Sequence, residues 1–439
     1  MNNQRLLTGL LSAVLLGAGV CAFGQNPSVI TLEQLFESAE RYSAQLRPSF
    51  SAEEEANQEI RAARAGRLPD INASLSFSYI GDGFTTKRNF SDYQKAPIPH
   101  YGNALSLSVN QPVYTGGAIT SGIQLAELKL TASRYATELQ RDNIRFQLTG
   151  FYLDIYKYTN LRGVVENNIT QARKVLGEMQ ARHEQGVALQ NDITRYELLV
   201  SNLELQLVKI NNTIDILNNN LVTIAGLPDG TVIVPDSAIL DKSLPSQSES
   251  SWQSEASVNS PTLKLAQSKV DISRKAEDLT KSERLPKIGL QAGWSIDGPI
   301  LVEVPPINRN LSYWYVGVGV SYNISSLFKN NKSLSRSRAA TVHATDELAA
   351  ARENTELAVR ADYIRYLESY EELNTQQKSV ELADKNYNTV FTRYSADMAL
   401  LTDMLDAANS KLDAEQQLVN ARINIIYYYY KLLFTSGKI

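Results

Sequence analysis

Residues 391–422 read FTRYSADMALLTDMLDAANSKLDAEQQLVNAR. One helical segment closes near Tyr394, residues 395–400 turn the chain, and a second helical segment returns. An earlier stretch, 181–207, reads ARHEQGVALQNDITRYELLVSNLELQL and aligns with it without a gap. Arg182 falls on Arg393, Ala188 on Ala399, Asp192 on Asp403 and Leu207 on Leu418, each 211 residues apart. An echo at fixed spacing marks a duplicated chain, so one architecture has to account for both halves.

Outward from each turn the pattern is helical for a long way. Residues 118–184 contain no proline, and residues 330–394 contain neither glycine nor proline. Helices of that length span roughly 100 Å at 1.5 Å per residue, which suits a coiled coil or a helical tube. The return helices run over 191–225, stopping at Gly226-Leu227-Pro228, and on to about residue 434. In the last pair Val380, Ala383, Tyr387, Val390 and Tyr394 form one stripe. Leu401, Leu405, Ala408, Leu412, Glu415, Val419 and Ile426 form its partner, at a spacing that predicts antiparallel coiled-coil packing.

Each long hairpin follows two alternating segments, 70–80 with 103–114 and 287–297 with 311–323. In the first, Ile71, Ala73, Leu75, Phe77 and Tyr79 share one strand face, and Asn72, Ser74, Ser76 and Ser78 the other. In the last, Trp314, Val316, Val318 and Val320 oppose Tyr315, Gly317, Gly319 and Ser321. About ten residues is the length a tilted strand needs to cross a bilayer. Apolar-out and polar-in alternation suits barrel strands, and Tyr79, Tyr114, Trp294, Tyr313 and Trp314 suit interfacial girdles. Four strands cannot close a barrel, so several copies must share one. Two copies give 8 strands and three give 12.

A shorter helix opens each repeat. Thr31-Leu32-Glu33-Gln34 has capping-box spacing for a helix to about Arg64, ended by Arg67-Leu68-Pro69. A second helix over 261–283 ends at Arg284-Leu285-Pro286. The expected organisation is therefore a first repeat, 25–227, an inter-repeat linker with equatorial packing, 228–260, and a second repeat, 261–439. Residues 1–24 read as a secretory signal peptide: Arg5, an apolar run 6–20, and Ala22-Phe23-Gly24 before the cut. Cys21 offers a rival reading as a lipoprotein acylation site, although Val20 stands where a small residue is wanted.

Composition excludes several classes. The net charge of −4 gives no basic footprint for nucleic acid. His100, His183 and His343 lie far apart without ligand spacing, so no metal or other cofactor is expected. Gly317-Val318-Gly319 is a strand pattern rather than a phosphate loop, and no spacing argues for a catalytic triad, so an enzyme is not expected. The run Tyr427–Tyr430 is expected to pack at the helix end against the linker.

The chain resembles the TolC-like outer-membrane efflux family over nearly all of its mature length. The resemblance rests on Tyr394, the turn 395–399, Asp403-Met404-Leu405-Asp406-Ala407, and the later Leu412, Ala414, Glu415, Leu418 and Asn420-Ala421-Arg422. Gly186 and Asp192 carry it in the first repeat. It implies a mostly α protein with a membrane β-barrel: a homotrimer sharing 12 strands and continuing into a long periplasmic α-helical barrel. It further implies outer-membrane lipid around the barrel, a periplasmic adaptor, and through it an inner-membrane pump of RND or ABC type. Family members close the far end with a tyrosine, an arginine and two aspartates. Tyr394, Asp403 and Asp406 fall on the tyrosine and aspartates, with Asp192 and its neighbour Asn191 in the echo. The arginine position falls on Ala399 and the second-turn glycine on Asp397, so the closing bonds must differ.

Three Asp403 carboxylates around one axis would attract cations. The same carboxylates also suit a helix N-terminus. The expected function is a passive efflux duct for small toxic molecules. A type I protein-secretion duct and a non-conducting coiled-coil envelope protein are the alternatives.

Overall fold

The computed structural model describes residues 28–241, 244–245, 247–303 and 305–439. The signal-peptide cut and Cys21 lie outside the described residues.

The chain begins with β1 (Ser28–Ile30), α1 (Leu32–Tyr42) and α2 (Arg47–Ala65). Thr31 caps α1 in a full capping box: the Gln34 N–H donates to Thr31 Oγ1 at 3.3 Å, and the Thr31 N–H donates to Gln34 Oε1 at 3.0 Å. The single helix expected up to Arg64 is broken at residues 43–46. There the Ser43 N–H still reaches the Ala39 carbonyl, and Pro48 restarts the helix in its first turn, where its missing N–H costs nothing.

Next come β2 (Asp70–Tyr79), a small hairpin of β3 (Gly83–Thr85) and β4 (Gln94–Ala96), and β5 (Tyr101–Tyr114). The long hairpin consists of α3 (Ala118–Glu184) and α4 (Gln190–Ala225). Residues 228–260 hold more structure than a linker. They contain β6 (Ile233–Pro235), α5 (Ala238–Asp241) and the 11-residue α6 (Glu249–Asn259). The Ser-rich composition hid α6, whose Ser248 caps it by accepting from the Ser251 N–H at 3.3 Å.

The second repeat follows with α7 (Pro261–Ser282), β7 (Lys287–Gly298), β8 (Leu311–Ser321), α8 (Ser326–Ser395) and α9 (Leu401–Ser436). At 67 and 70 residues, α3 and α8 are each roughly 100 Å long. No helix among the described residues is long and apolar enough to cross a membrane.

The four long strands form one antiparallel sheet in the order β2-β5-β7-β8. The repeats join at β5–β7, whose register runs from Asn103 opposite Gly298 to a bulge at Pro112 and Tyr114. The bulge accommodates a proline that a regular ladder would not. Register aligns the apolar faces: Ile71, Val109, Ala292 and Val316 form one row, and Ala73, Leu107, Trp294 and Trp314 the next. Every residue of β2 is exposed, and among the described residues neither β2 nor β8 has a partner on its outer edge.

The helices repeat this pattern. Helix α7 packs on both α3 and α8, whereas α2 packs chiefly on α3. The two hairpins meet along α3 and α9, while among the described residues α4 and α8 each leave an apolar side exposed. Those sides expose Leu198, Leu205, Val208 and Ile216 on α4, and Val342, Leu357, Ile364 and Leu382 on α8.

Mid-chain, Tyr152 of α3 ties the equatorial pieces together. Its hydroxyl donates to the Ile30 carbonyl at 2.9 Å and accepts the Asp236 N–H at 2.7 Å, joining α3 to β1 and to the end of parallel-paired β6. Leu35, Leu148, Leu153 and Leu221 are fully buried around it, each contributing about 1.5–3 kcal/mol of apolar burial. The tyrosine run packs at the equator. Tyr429 meets the buried Trp252 of α6 edge-on, with centroids 6.3 Å apart, and Tyr430 is buried in the same core as Tyr152.

Candidate functional site at the hairpin tips

Both tips are built by the same backbone device. In the first, the Val187 N–H donates to the Arg182 carbonyl at 3.0 Å and the Gly186 N–H to His183 at 2.8 Å. In the second, Met398 donates to Arg393 at 2.8 Å and Asp397 to Tyr394 at 3.1 Å. This pattern stops a helix with one left-handed residue. Gly186 takes that conformation with φ 78°, and Asp397 takes it with φ 59°. Glycine is suited to it, and aspartate is among the few other residues that tolerate it.

After each turn the chain re-enters a helix with an aspartate at the third position, Asp192 and Asp403. Asp403 Oδ2 accepts the Leu400 N–H at 3.1 Å, satisfying one amide at the helix start. Asp406 lies one turn further along α9, and both carboxylates are exposed. Asn191 is exposed on the first turn of α4, and Asp192 is half-buried.

Tyr394, in the last turn of α8, is half-buried between the tips. Burial raises its phenol pKa above the ordinary value. The nearby Asp192 carboxylate pushes the same way, Arg182 opposes, and Asp397 adds to the rise. The structure thus brings Tyr394 and Asp192 together. Asp403 joins them through the turn rather than by a bond to either.

Sequence reasoning missed the residue that binds the tips to each other. Arg182 of α3 donates to the Asp397 carboxylate through Nη2 and to the Ser395 carbonyl through Nη1 at 3.4 Å. Its guanidinium carbon also stands 6.0 Å from the centre of the Tyr394 ring. The bonds between the tips differ from the family's pattern: the arginine stands at Arg182 on the first hairpin, with Ala399 where the family's arginine is expected. The signal was available in the echo, where the left-handed position carries glycine once and a carboxylate once.

Behind the tips the hairpins share one core. Tyr196 is buried between Met179 and Ile193 on its own hairpin and Met404 and Tyr387 on the other, and burial pushes its phenol pKa up. The fully buried face of α9 is Leu401, Met404, Ala407, Lys411 and Ala414; the expected stripe through Leu405, Leu412 and Glu415 flanks it, half-buried. Lys411 hides the register because a charge occupies the seam. Its ammonium donates to Asp384 Oδ1 at 2.7 Å, lies 4.0 Å from Glu415 and sits 5.0 Å from the Tyr387 ring centre. Glu415 also accepts from Asn168 Nδ2 of the first hairpin at 2.8 Å.

Residues 35–227 and 252–427 match the family of outer membrane efflux proteins. The outer membrane efflux protein BepC of Brucella suis biovar 1 (strain 1330) is 21% identical over 386 residues, covering 87% of this chain and 83% of that protein. The outer membrane protein TolC of Escherichia coli (strain K12) is 19% identical over 430 residues, covering 95% of this chain and 84% of that protein. Among solved structures, the outer membrane protein VceC of Vibrio cholerae superposes with a TM-score of 0.75 at 16% identity, over 92% of this chain and 96% of that one. That likeness is one of fold.

Proposed function

This chain belongs to the outer membrane efflux protein family, and from that premise we propose that it is the exit duct of a tripartite efflux system, exporting small toxic molecules. The family's members are outer-membrane channels rather than enzymes. Energy comes from an inner-membrane pump reached through a periplasmic adaptor.

The observation that carries this reading is the joint between the two repeats. It is used once inside the chain and left open at both ends. β5 pairs β7, while the equivalent edges of β8 and β2 are free. α3 meets α9, while the equivalent sides of α8 and α4 expose apolar residues. α7 has two long-helix neighbours, while α2 has one. A second copy placed by the same joint pairs its β2 with β8 and its α4 with α8, and seats its α2 against α8. Repetition around an axis removes every open edge, as a sheet in lipid requires. Three copies close a 12-stranded barrel with the serine and glycine face inward.

In that assembly the tips converge at the periplasmic end. Tyr394, Asp403, Asp406, Asp192 and Asn191 then form the constriction. Asp403 serves both as helix cap and as one of three carboxylates that favour cations. The Arg182–Asp397 pair holds each second hairpin against the first and so keeps the aperture small.

Reconstitution in a planar bilayer tests the duct. Cation-selective channels are expected from the purified protein, with larger conductance for Arg182→Ala and reduced cation selectivity for Asp403→Ala. If no variant conducts, the duct reading falls. Accumulation of an unsecreted protein instead of small toxic molecules in a deletion strain would reassign the cargo.

A further inference from the structure

The sheet's register sorts the aromatic residues of β8 between its faces. Trp314 stands opposite Trp294 and shares the apolar face with Val316 and Val318. Tyr313 stands opposite Ser295, and Tyr315 opposite Gly293. Tyr313 therefore does not join the girdle with Tyr79, Trp294 and Trp314, as its type suggests. Its row continues through Ser106 to Ser74, whose hydroxyls lie 2.8 Å apart. Both tyrosines belong to the hydroxyl-rich face, which lines the lumen when the apolar face meets lipid.

Their arrangement on that face is specific. A Cβ at Gly293 would stand 2.5 Å from Tyr315 Cε1, so the ring lies down on bare backbone. In the single chain Tyr313 and Tyr315 are 50% and 49% exposed. Further inward the same face of β8 carries Gly317, Gly319 and Ser321, so the aromatic surface is confined to the outer part of the strand. One row outward, Asp297 stands opposite Leu311, and its Oδ2 accepts from Ser295 Oγ at 2.9 Å. Among the described strand residues the cation on this face is Lys287, at the far end of β7, roughly 30 Å away at 3.3 Å per residue.

We propose that Tyr313, Tyr315 and Asp297, repeated around the barrel, form a lumenal collar at its outer mouth that binds organic cations bearing apolar or aromatic substituents. Ring faces attract a quaternary or protonated nitrogen within about 6 Å, and the substituents cover the rings. The carboxylate supplies the opposite charge, and among the described strand residues no basic side chain on this face stands beside it. The collar rests on the barrel reading given above. It adds a substrate-contacting site at the opposite end from the hairpin tips.

The test uses the reconstituted full-length channel with tetrabutylammonium added on the outer side. Reversible block of the ion current is expected. The double variant Tyr313→Ser/Tyr315→Ser should raise the half-blocking concentration about tenfold, and Tyr313→Phe/Tyr315→Phe should keep it near that of the wild type. Asp297→Asn should raise it about threefold. A conducting wild-type channel that tetrabutylammonium does not block overturns the collar and leaves the duct standing. Equal block of the wild type and the serine variant does the same. Absence of conductance from the wild type and from Arg182→Ala alike removes the duct itself.

Discussion

The two hairpins descend from one ancestor and have divided its duties. At equivalent positions the first has Tyr196 where the second has Ala407, Val200 where the second has Lys411, and Gly186 where the second has Asp397. The ion pair between α3 and α4, Arg173 Nη2 to Glu204 at 2.6 Å, becomes Asp384 facing Glu415 in the second hairpin. Two carboxylates there would repel, and Lys411, inserted where the first hairpin has valine, lies between them. The first hairpin thus keeps an apolar seam and supplies the large tyrosine. The second carries charge within its seam and at its tip. A shared fold tolerates this because each change is compensated by a neighbour: Asp397 by Arg182 across the joint, and the Asp384–Glu415 pair by Lys411 within its own hairpin.

Tyr196→Ala attacks the comparison hardest. It opens a void between the hairpins that Ala407 cannot fill, and should cost about 3–5 kcal/mol in denaturant unfolding followed by circular dichroism. A loss below about 1 kcal/mol would mean the hairpins do not depend on each other through this residue.

Lys411→Met makes the second seam resemble the first while leaving Asp384 and Glu415 without their cation. Because Asp384 keeps access to water, the expected loss is about 1.5–3 kcal/mol, less than for a sealed pair. Adding Asp384→Arg should restore much of it by recreating the Arg173–Glu204 arrangement. A double variant no better than the single would break the analogy.

Alkaline titration sharpens the picture. The phenols of Tyr196, Tyr387 and Tyr394 are all raised, burial being the first cause in each case. A raised group contributes stability that is complete below the unfolded pKa and is lost as pH rises through the folded one. The hairpin contact should therefore weaken above about pH 10. Tyr196→Phe should flatten that loss, as seen in denaturation midpoints taken between pH 8 and 12. An unchanged profile would place the alkaline sensitivity elsewhere.

The smallest expected change in stability comes from Asp397→Gly, which makes the second tip copy the first. It removes an ion pair whose aspartate side chain is 76% exposed, and relieves a left-handed aspartate. The two effects oppose, so net stability should shift by about 1 kcal/mol or less. Conductance should nevertheless rise, as is expected for Arg182→Ala. A closed, unaltered channel would show that the pair is ornament on the tip.

Much of this architecture was legible because long-range order left short-range marks. The strict alternation in β2 reflects the two-residue period of a strand, and the unbroken runs of α3 and α8 reflect helices that satisfy their own backbone, so their limits appear within a few residues. The capping box at Thr31 is similarly local. What stayed hidden depends on neighbours distant in sequence. Lys411 reads as a surface residue until Asp384, Tyr387 and Glu415 surround it. Arg182 has no visible purpose until the second tip arrives beside it. Residue type alone suggests Tyr313 for the girdle, whereas alternation against Trp314 puts it on the other face. The helix α6 escaped because Trp252 finds its packing on α8 and α9, outside its own segment.

The duplicated turn carries one more consequence. Arg393 is the counterpart of Arg182, and across a joint between copies it would meet the counterpart of Asp397, which is Gly186. Around a closed ring, fastened and unfastened seams would then alternate. A ring of identical single repeats has to fasten all its seams or none. Fusion of two repeats into one gene lets selection set the two kinds of seam independently, so the force that opens the ring becomes an adjustable trait.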